Sequence, residues 1–279
     1  MLTTDNNLRK REWLTAILTQ QLGNNGGGWF AQRIAAVNDD EAGKNFNLLF
    51  SLIPRNISAA QAVWNEQLLQ EAENFYPGFG KNPPDLQQLC RLLLMVRLPV
   101  TGNQEALKIL FETADINELV ILYKGLYWLD NAAGFVPRMT EGVRTNMVPV
   151  FDAIALNNPY PFQYFTDDAW NQMVLKAIFN GRPLYKIYKL HERKNQKLAN
   201  ILHDFIHERW AAGRTVTPEI WQLMPGFITP EIEADLRKAA RSEDVHERNA
   251  ATKALHESGI GTETVDSTWA NIGEQYTNK

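Results

Sequence analysis

His203 and His207 stand four residues apart in a stretch, Gln196–Ala212, whose apolar spacing is helical. On a helix that spacing puts two imidazoles on one face, where they can share a metal ion. The intervening Asp204-Phe205-Ile206 lacks the catalytic glutamate of a zincin, and no third ligand is evident nearby. The reading is therefore of no metal and no other cofactor. Cys90 is the only cysteine, set in the apolar run Leu89 to Leu94 without a neighbouring histidine. A thiol there reads as inert and buried. His246 and His256 fall in the terminal helices and read as solvated.

Other polar residues draw attention by facing the wrong way. Successive residues of a helix advance by about 100°. In Asp168–Asn180 the apolar arc is Trp170, Met173, Val174, Ala177 and Ile178, and Asn171 projects inside it. In Leu184–Lys194 the arc is Leu184, Ile187 and Leu190, with His191 within it. In Gln196–Ala212 the arc is Leu198, Ile201, Leu202, Phe205 and Ile206, and Arg209 points near its centre. A guanidinium stays charged at ordinary pH, so its burial costs several kcal/mol unless an acidic group, a hydrogen-bond acceptor or a bound anion meets it. Around Met147, Arg144 and Asn146 flank an arc of Val143, Val150, Phe151 and Ile154.

Two readings of these residues stay open. They can cap helices and knit neighbouring pairs, with Arg209 satisfied by an internal carboxylate such as Asp152 or Asp130. Or Arg144, Asn146, Asn171, His191, His207 and Arg209 are candidate ligand-binding residues for a small anionic or aromatic metabolite. No residue is assigned as catalytic. The chain has no G-x-S-x-G elbow, Walker loop or G-x-G-x-x-G, and Gly26-Gly27-Gly28 follows a helix instead of a strand. Asp39-Asp40 and Asp167-Asp168 lack acidic partners and read as turn or N-cap residues. An enzyme remains the alternative, with His191 or His207 carrying a proton and Arg209 anchoring an anion.

The elements that must position these side chains are helices nearly throughout. The spacing predicts helices over Leu8–Leu22, Trp29–Val37 and Glu41–Ile53, the first closed by Gly23 and a flexible Asn24-Asn25-Gly26-Gly27-Gly28. A long helix starts at a Ser58 cap and runs to Glu73, and Leu86–Leu98 opens at Pro84-Asp85 and ends at Pro99. Gln104–Thr113 and Ile116–Leu129 follow, then Thr140–Leu156 with a kink at Pro149. The remaining helices are expected at Asp168–Asn180, Leu184–Lys194, Gln196–Ala212, Pro218–Leu223, Pro230–Ser242 and Val245–Ser258. No alternating run bounded by hairpin turns argues for a sheet. The fold class is all-α, an irregular α-solenoid or superhelix of stacked helix pairs, HEAT-like at the C-terminal end. Residues 1–258 read as a single helical domain, with 1–100 able to form a minor N-terminal subdomain, and 259–279 as a poorly ordered tail.

Composition bounds the function. Of 279 residues, 44% are hydrophobic, enough for a continuous core, and net charge is -4 with no Lys/Arg-rich run. Nucleic-acid binding is set aside on that ground, since it needs clustered cations. The first apolar stretch is broken by Arg9, Lys10, Arg11 and Glu12, unlike a signal peptide, and no apolar run approaches the ~20 residues of a membrane span. The expected location is the cytoplasm.

The strings Asn158-Pro159-Tyr160-Pro161, Tyr164-Phe165, Asp168-Ala169-Trp170-Asn171-Gln172-Met173-Val174-Leu175-Lys176-Ala177 and His207-Glu208-Arg209-Trp210-Ala211-Ala212-Gly213-Arg214, preceded by Arg144-Thr145-Asn146, resemble the EboA family. The likeness is clearest between Glu141 and Gln222. It implies a protein encoded in bacterial gene clusters beside a UbiA-like prenyltransferase, a TatD-like metal hydrolase, a sugar-isomerase-like protein and a dehydroquinate-synthase-like protein. Such clusters are linked to making or exporting small metabolites, including movement of a pigment precursor toward the periplasm. The resemblance brings no established catalytic residues. The expectation is a non-catalytic helical protein that binds a small metabolite or scaffolds the cluster's other enzymes. A purely structural interaction protein is a further alternative. The sequence does not fix the oligomeric state.

Overall fold

The computed structural model describes residues 2–23, 26–35, 37, 44–100 and 102–277, and among them helix is the only regular structure. Asn24-Asn25, Asp39-Asp40 and the expected helix start at Glu41 lie outside the described residues. The chain divides into two compact units, Met1–Tyr160 and Pro161–Lys279, where the sequence suggests one domain over 1–258.

The N-terminal unit contains α1 (Leu2–Leu22), α2 (Gly27–Ala35), α3 (Lys44–Asn56), α4 (Glu66–Glu73), α5 (Leu86–Arg97), α6 (Asn103–Thr113), α7 (Ile116–Gly125), α8 (Val136–Val143) and α9 (Val148–Ala155). Its axis is α5, on which α1, α3 and α7 pack. Residues 89–96 are buried on every side of that helix, including Cys90, whose thiol burial pushes up in pKa. A capping box between Asp85 and Gln88 starts α5, and Asp115 with Glu118 does the same for α7. Arg91 is the arginine that the core swallows. It is 2% exposed, its Nη2 lies 3.0 Å from Glu118 Oε1, and its guanidinium lies over Phe50.

Three helix predictions in this unit change for local reasons. No helix starts at Ser58. The segment before α4 satisfies its backbone elsewhere: Val63 exchanges two hydrogen bonds with the Gln21 amide, and Ala60 accepts from the Leu86 N–H. Asn65 is the cap that opens α4. Pro54 does not stop α3, which runs on to Asn56. Pro149 does not kink a long helix but begins α9, where a missing N–H costs nothing, and residues 144–147 separate α8 from α9.

A short α10 (Tyr160–Tyr164) follows at the boundary, and the C-terminal unit continues with α11 (Asp167–Phe179), α12 (Gln196–Ala211), α13 (Pro230–Ala239), α14 (Val245–Glu257) and α15 (Trp269–Thr277). The expected helix Leu184–Lys194 is two 3-10 turns, Leu184–Lys186 and Leu190–Arg193, split by Lys189 in the left-handed region at φ 51°. Pro218–Leu223 is a third 3-10 turn. Part of the stretch expected to be a poorly ordered tail is α15, which packs on α14 and on the turns at 184–186 and 218–223, burying Trp269 and Ile272.

Candidate functional site

The C-terminal unit folds two helix ends toward one space. α11 ends at Phe179, and the chain reverses through Gly181, whose φ of 61° suits glycine. α12 ends at Ala211, and Gly213 at φ 65° turns the chain back. Arg209 holds that return in place, its Nε and Nη2 donating to the Thr215 carbonyl at 3.0 and 2.8 Å. The result is a cleft of about 710 Å³. Phe179 and Phe205 form one wall, their ring centroids 5.1 Å apart. Arg182 and Arg209 add positive charge, and Tyr276 and Thr277 of α15 complete the rim.

Glu219 also lines this cleft. Its carboxylate accepts the Leu184 and Tyr185 N–H groups at 3.2 and 2.5 Å, yet the residue is only 2% exposed. Burial outweighs those two hydrogen bonds and pushes its pKa up from 4.5 to about 7. Among the described residues no cation pairs with it. Glycine at 273 permits this packing, because a Cβ there would lie 2.7 Å from the Glu219 carboxyl and against the Tyr185 ring.

The six residues singled out in the sequence do not gather here. Arg209 lines the cleft, half-buried, with Thr215 as its protein acceptor and no carboxylate partner among the described residues. Asp130, considered above as a partner for it, instead receives the Asn7 amide at 2.6 Å in the N-terminal unit. Asn171 is 3% exposed and locked in a reciprocal amide pair with Asn195, the cap of α12. His191 is exposed, with its ring 6.3 Å from that of Trp269. Partial desolvation, with like charge from Lys194, holds its pKa below the ordinary histidine value. Arg144 and Asn146 are exposed in the N-terminal unit, and Arg144 pairs with Glu141 at 3.1 Å.

His207 belongs to a different cluster. Its Nε2 lies 2.6 Å from Asp235 Oδ2 and 3.2 Å from His203 Nε2, and His203 Nε2 lies 2.8 Å from the same Asp235 oxygen. Asp235 is the acidic partner of the two histidines that the sequence did not reveal, because it comes from α13, 28 residues beyond His207. In the N-terminal unit a cavity of only about 30 Å³ lies beside Tyr76, Trp128 and Lys124. Burial pushes Lys124 down to about 8 there. Its volume suits a single water and not a metabolite.

The model of one protein family, described as metabolite traffic protein EboA, matches residues 10–225. No curated protein and no solved structure matches the chain.

Proposed function

Because the chain belongs to the EboA family of metabolite traffic proteins, we propose that it is a cytoplasmic, non-catalytic helical protein whose C-terminal cleft binds a small anionic, aromatic metabolite for transfer to other proteins. The observation that carries this reading is Arg209. Two of its donors hold the Thr215 carbonyl, and its Nη1 edge has no protein partner among the described residues. A planar, pre-oriented guanidinium of that kind suits a carboxylate or phosphate. The Phe179–Phe205 wall offers an aromatic ring a stacking surface. Glu219 is compatible with this reading: pushed up to about 7 by burial, it is partly neutral at neutral pH, which lessens its repulsion of an anion.

No described helix is long and apolar enough to cross a membrane, which is in keeping with this role. Within the C-terminal unit, α13 and α14 pack as a pair closed by the Asp244 cap. That pair supports the reading of a HEAT-like repeat within a superhelix of stacked pairs.

The test is thermal stability of the wild type and Arg209→Leu against aromatic carboxylates, phosphorylated sugars and isoprenoid diphosphates. One class should raise the wild-type melting temperature by roughly 5 °C or more at a hundredfold excess over its Kd. The substitution should remove that response. Silence from every ligand would refute metabolite binding in favour of a scaffold for partner enzymes.

A further inference from the structure

We propose that His203, His207 and Asp235 bind one divalent transition-metal ion of the zinc class. The two histidines lie one turn apart on α12, and Asp235 approaches them from α13. All three side chains present one atom to a common point: Nε2, Nε2 and Oδ2, separated by 2.6, 2.8 and 3.2 Å. A tetrahedral zinc with ligands at 2.0–2.1 Å keeps them about 3.3 Å apart. The imidazole pair already has nearly that spacing, and the carboxylate oxygen needs to retreat by about 0.7 Å.

Hydrogen bonding alone leaves one edge of this triangle without a proton. Each Nε2 holds at most one hydrogen, and both face the same oxygen. If both point at Asp235, the 3.2 Å edge between the imidazoles has no proton. One cation satisfies all three donor atoms together. Asp235 adds a second reason, for its side chain is 12% exposed and no lysine or arginine pairs with it among the described residues. A buried carboxylate facing two imidazoles and no cation is the arrangement that a metal completes.

The donor set selects the metal class. Two imidazole nitrogens and one carboxylate oxygen suit zinc and its transition-metal neighbours, whereas magnesium and calcium take oxygen shells. His203 is 20% exposed and His207 54%, so the site opens to solvent on the His207 side. Three protein ligands then leave a coordination position free. Lys238 lies 3.9 Å over the Trp210 ring, and the His207 ring lies 5.9 Å from it at a tilt of 60°. Two neutral imidazoles and one carboxylate leave a bound dication with one net positive charge. The open position therefore favours an anionic or hydroxide ligand. Phe205 and Arg209 leave α12 about 120–160° away from the two histidines, so this site is separate from the cleft and stands or falls independently.

The full chain, stripped with a chelator, should be titrated with Zn²⁺ in competition with a chromophoric chelator, and with Co²⁺ followed by its d–d absorption. One Zn²⁺ per chain should bind with a Kd below about 1 µM, unaffected by millimolar Mg²⁺. His207→Ala and Asp235→Asn should each weaken binding by roughly a hundredfold or more, while His191→Ala and His256→Ala leave it unchanged. Zn²⁺ should raise the melting temperature of the wild type and not of either ligand variant, and His207 is exposed enough for its variant to fold. Zn²⁺ binding weaker than about 10 µM, or equal binding in the wild type and both ligand variants, overturns the proposal.

Discussion

Glu219 holds a proton that its unfolded counterpart would release. Its pKa is pushed up from 4.5 to about 7, so between those values the folded chain binds more protons than the unfolded one. The stability this supplies is complete below pH 4.5 and is lost as pH rises through about 7. The gap corresponds to about 3 kcal/mol as an order of magnitude. Glu219→Gln keeps the shape without the charge, so the wild type should lose stability relative to the variant between pH 4.5 and 8. Denaturant unfolding at the two pH values measures this, and parallel profiles would mean that the carboxyl ionises freely. The sequence hides this residue, because Thr217-Pro218-Glu219 reads as an ordinary acidic first turn. Asp235 is hidden differently: nothing local ties it to histidines on another helix. Arg209 was legible as a guanidinium in need of an acceptor, but the acceptor is a backbone carbonyl, which no residue type announces. Arg91, the arginine that is buried, has its answering carboxylate 27 residues away.

Two helix starts marked by an aspartate were legible, since Asp85 and Asp115 cap where their positions predict, whereas Ser58 caps no helix. Boundaries set by tertiary partners were not. The 58–65 segment is held out of helix by Gln21 and Leu86, and residues 184–194 break where Lys189 turns left-handed. α15 escaped notice because its flanks are polar, although Trp269 and Ile272 give it a buried face. This helix matters to the cleft, which it borders through Tyr276 and Thr277. Its seat depends on Gly273, where an added Cβ would crowd Glu219 at 2.7 Å and the Tyr185 ring. Glu219 is held by two backbone N–H groups and cannot easily give way. Gly273→Ala should therefore destabilise the protein by about 1–3 kcal/mol despite the better helix propensity of alanine. Equilibrium unfolding reads this directly, and an unchanged or raised stability would show that α15 does not press on the carboxyl.

Across the whole chain the net charge is -4, and the cleft sets Arg182 and Arg209 beside Glu219 and Asp244. The all-helical class and the EboA family were legible from spacing and from short strings of residues. The division at Tyr160 was not, because the chain crosses it within α10, without a linker. That division separates the two arginines that helical geometry singled out. Arg144 pairs with Glu141 on the surface of the N-terminal unit, and Arg209 faces the cleft of the other. Calorimetric titration of the wild type, Arg144→Leu and Arg209→Leu with the metabolite class that stabilises the protein therefore tests the central claim most directly. The account predicts one site per chain, an unchanged Kd in Arg144→Leu, and a loss of roughly tenfold or more in Arg209→Leu, as for removal of a charged hydrogen bond. Full affinity in Arg209→Leu would contradict it.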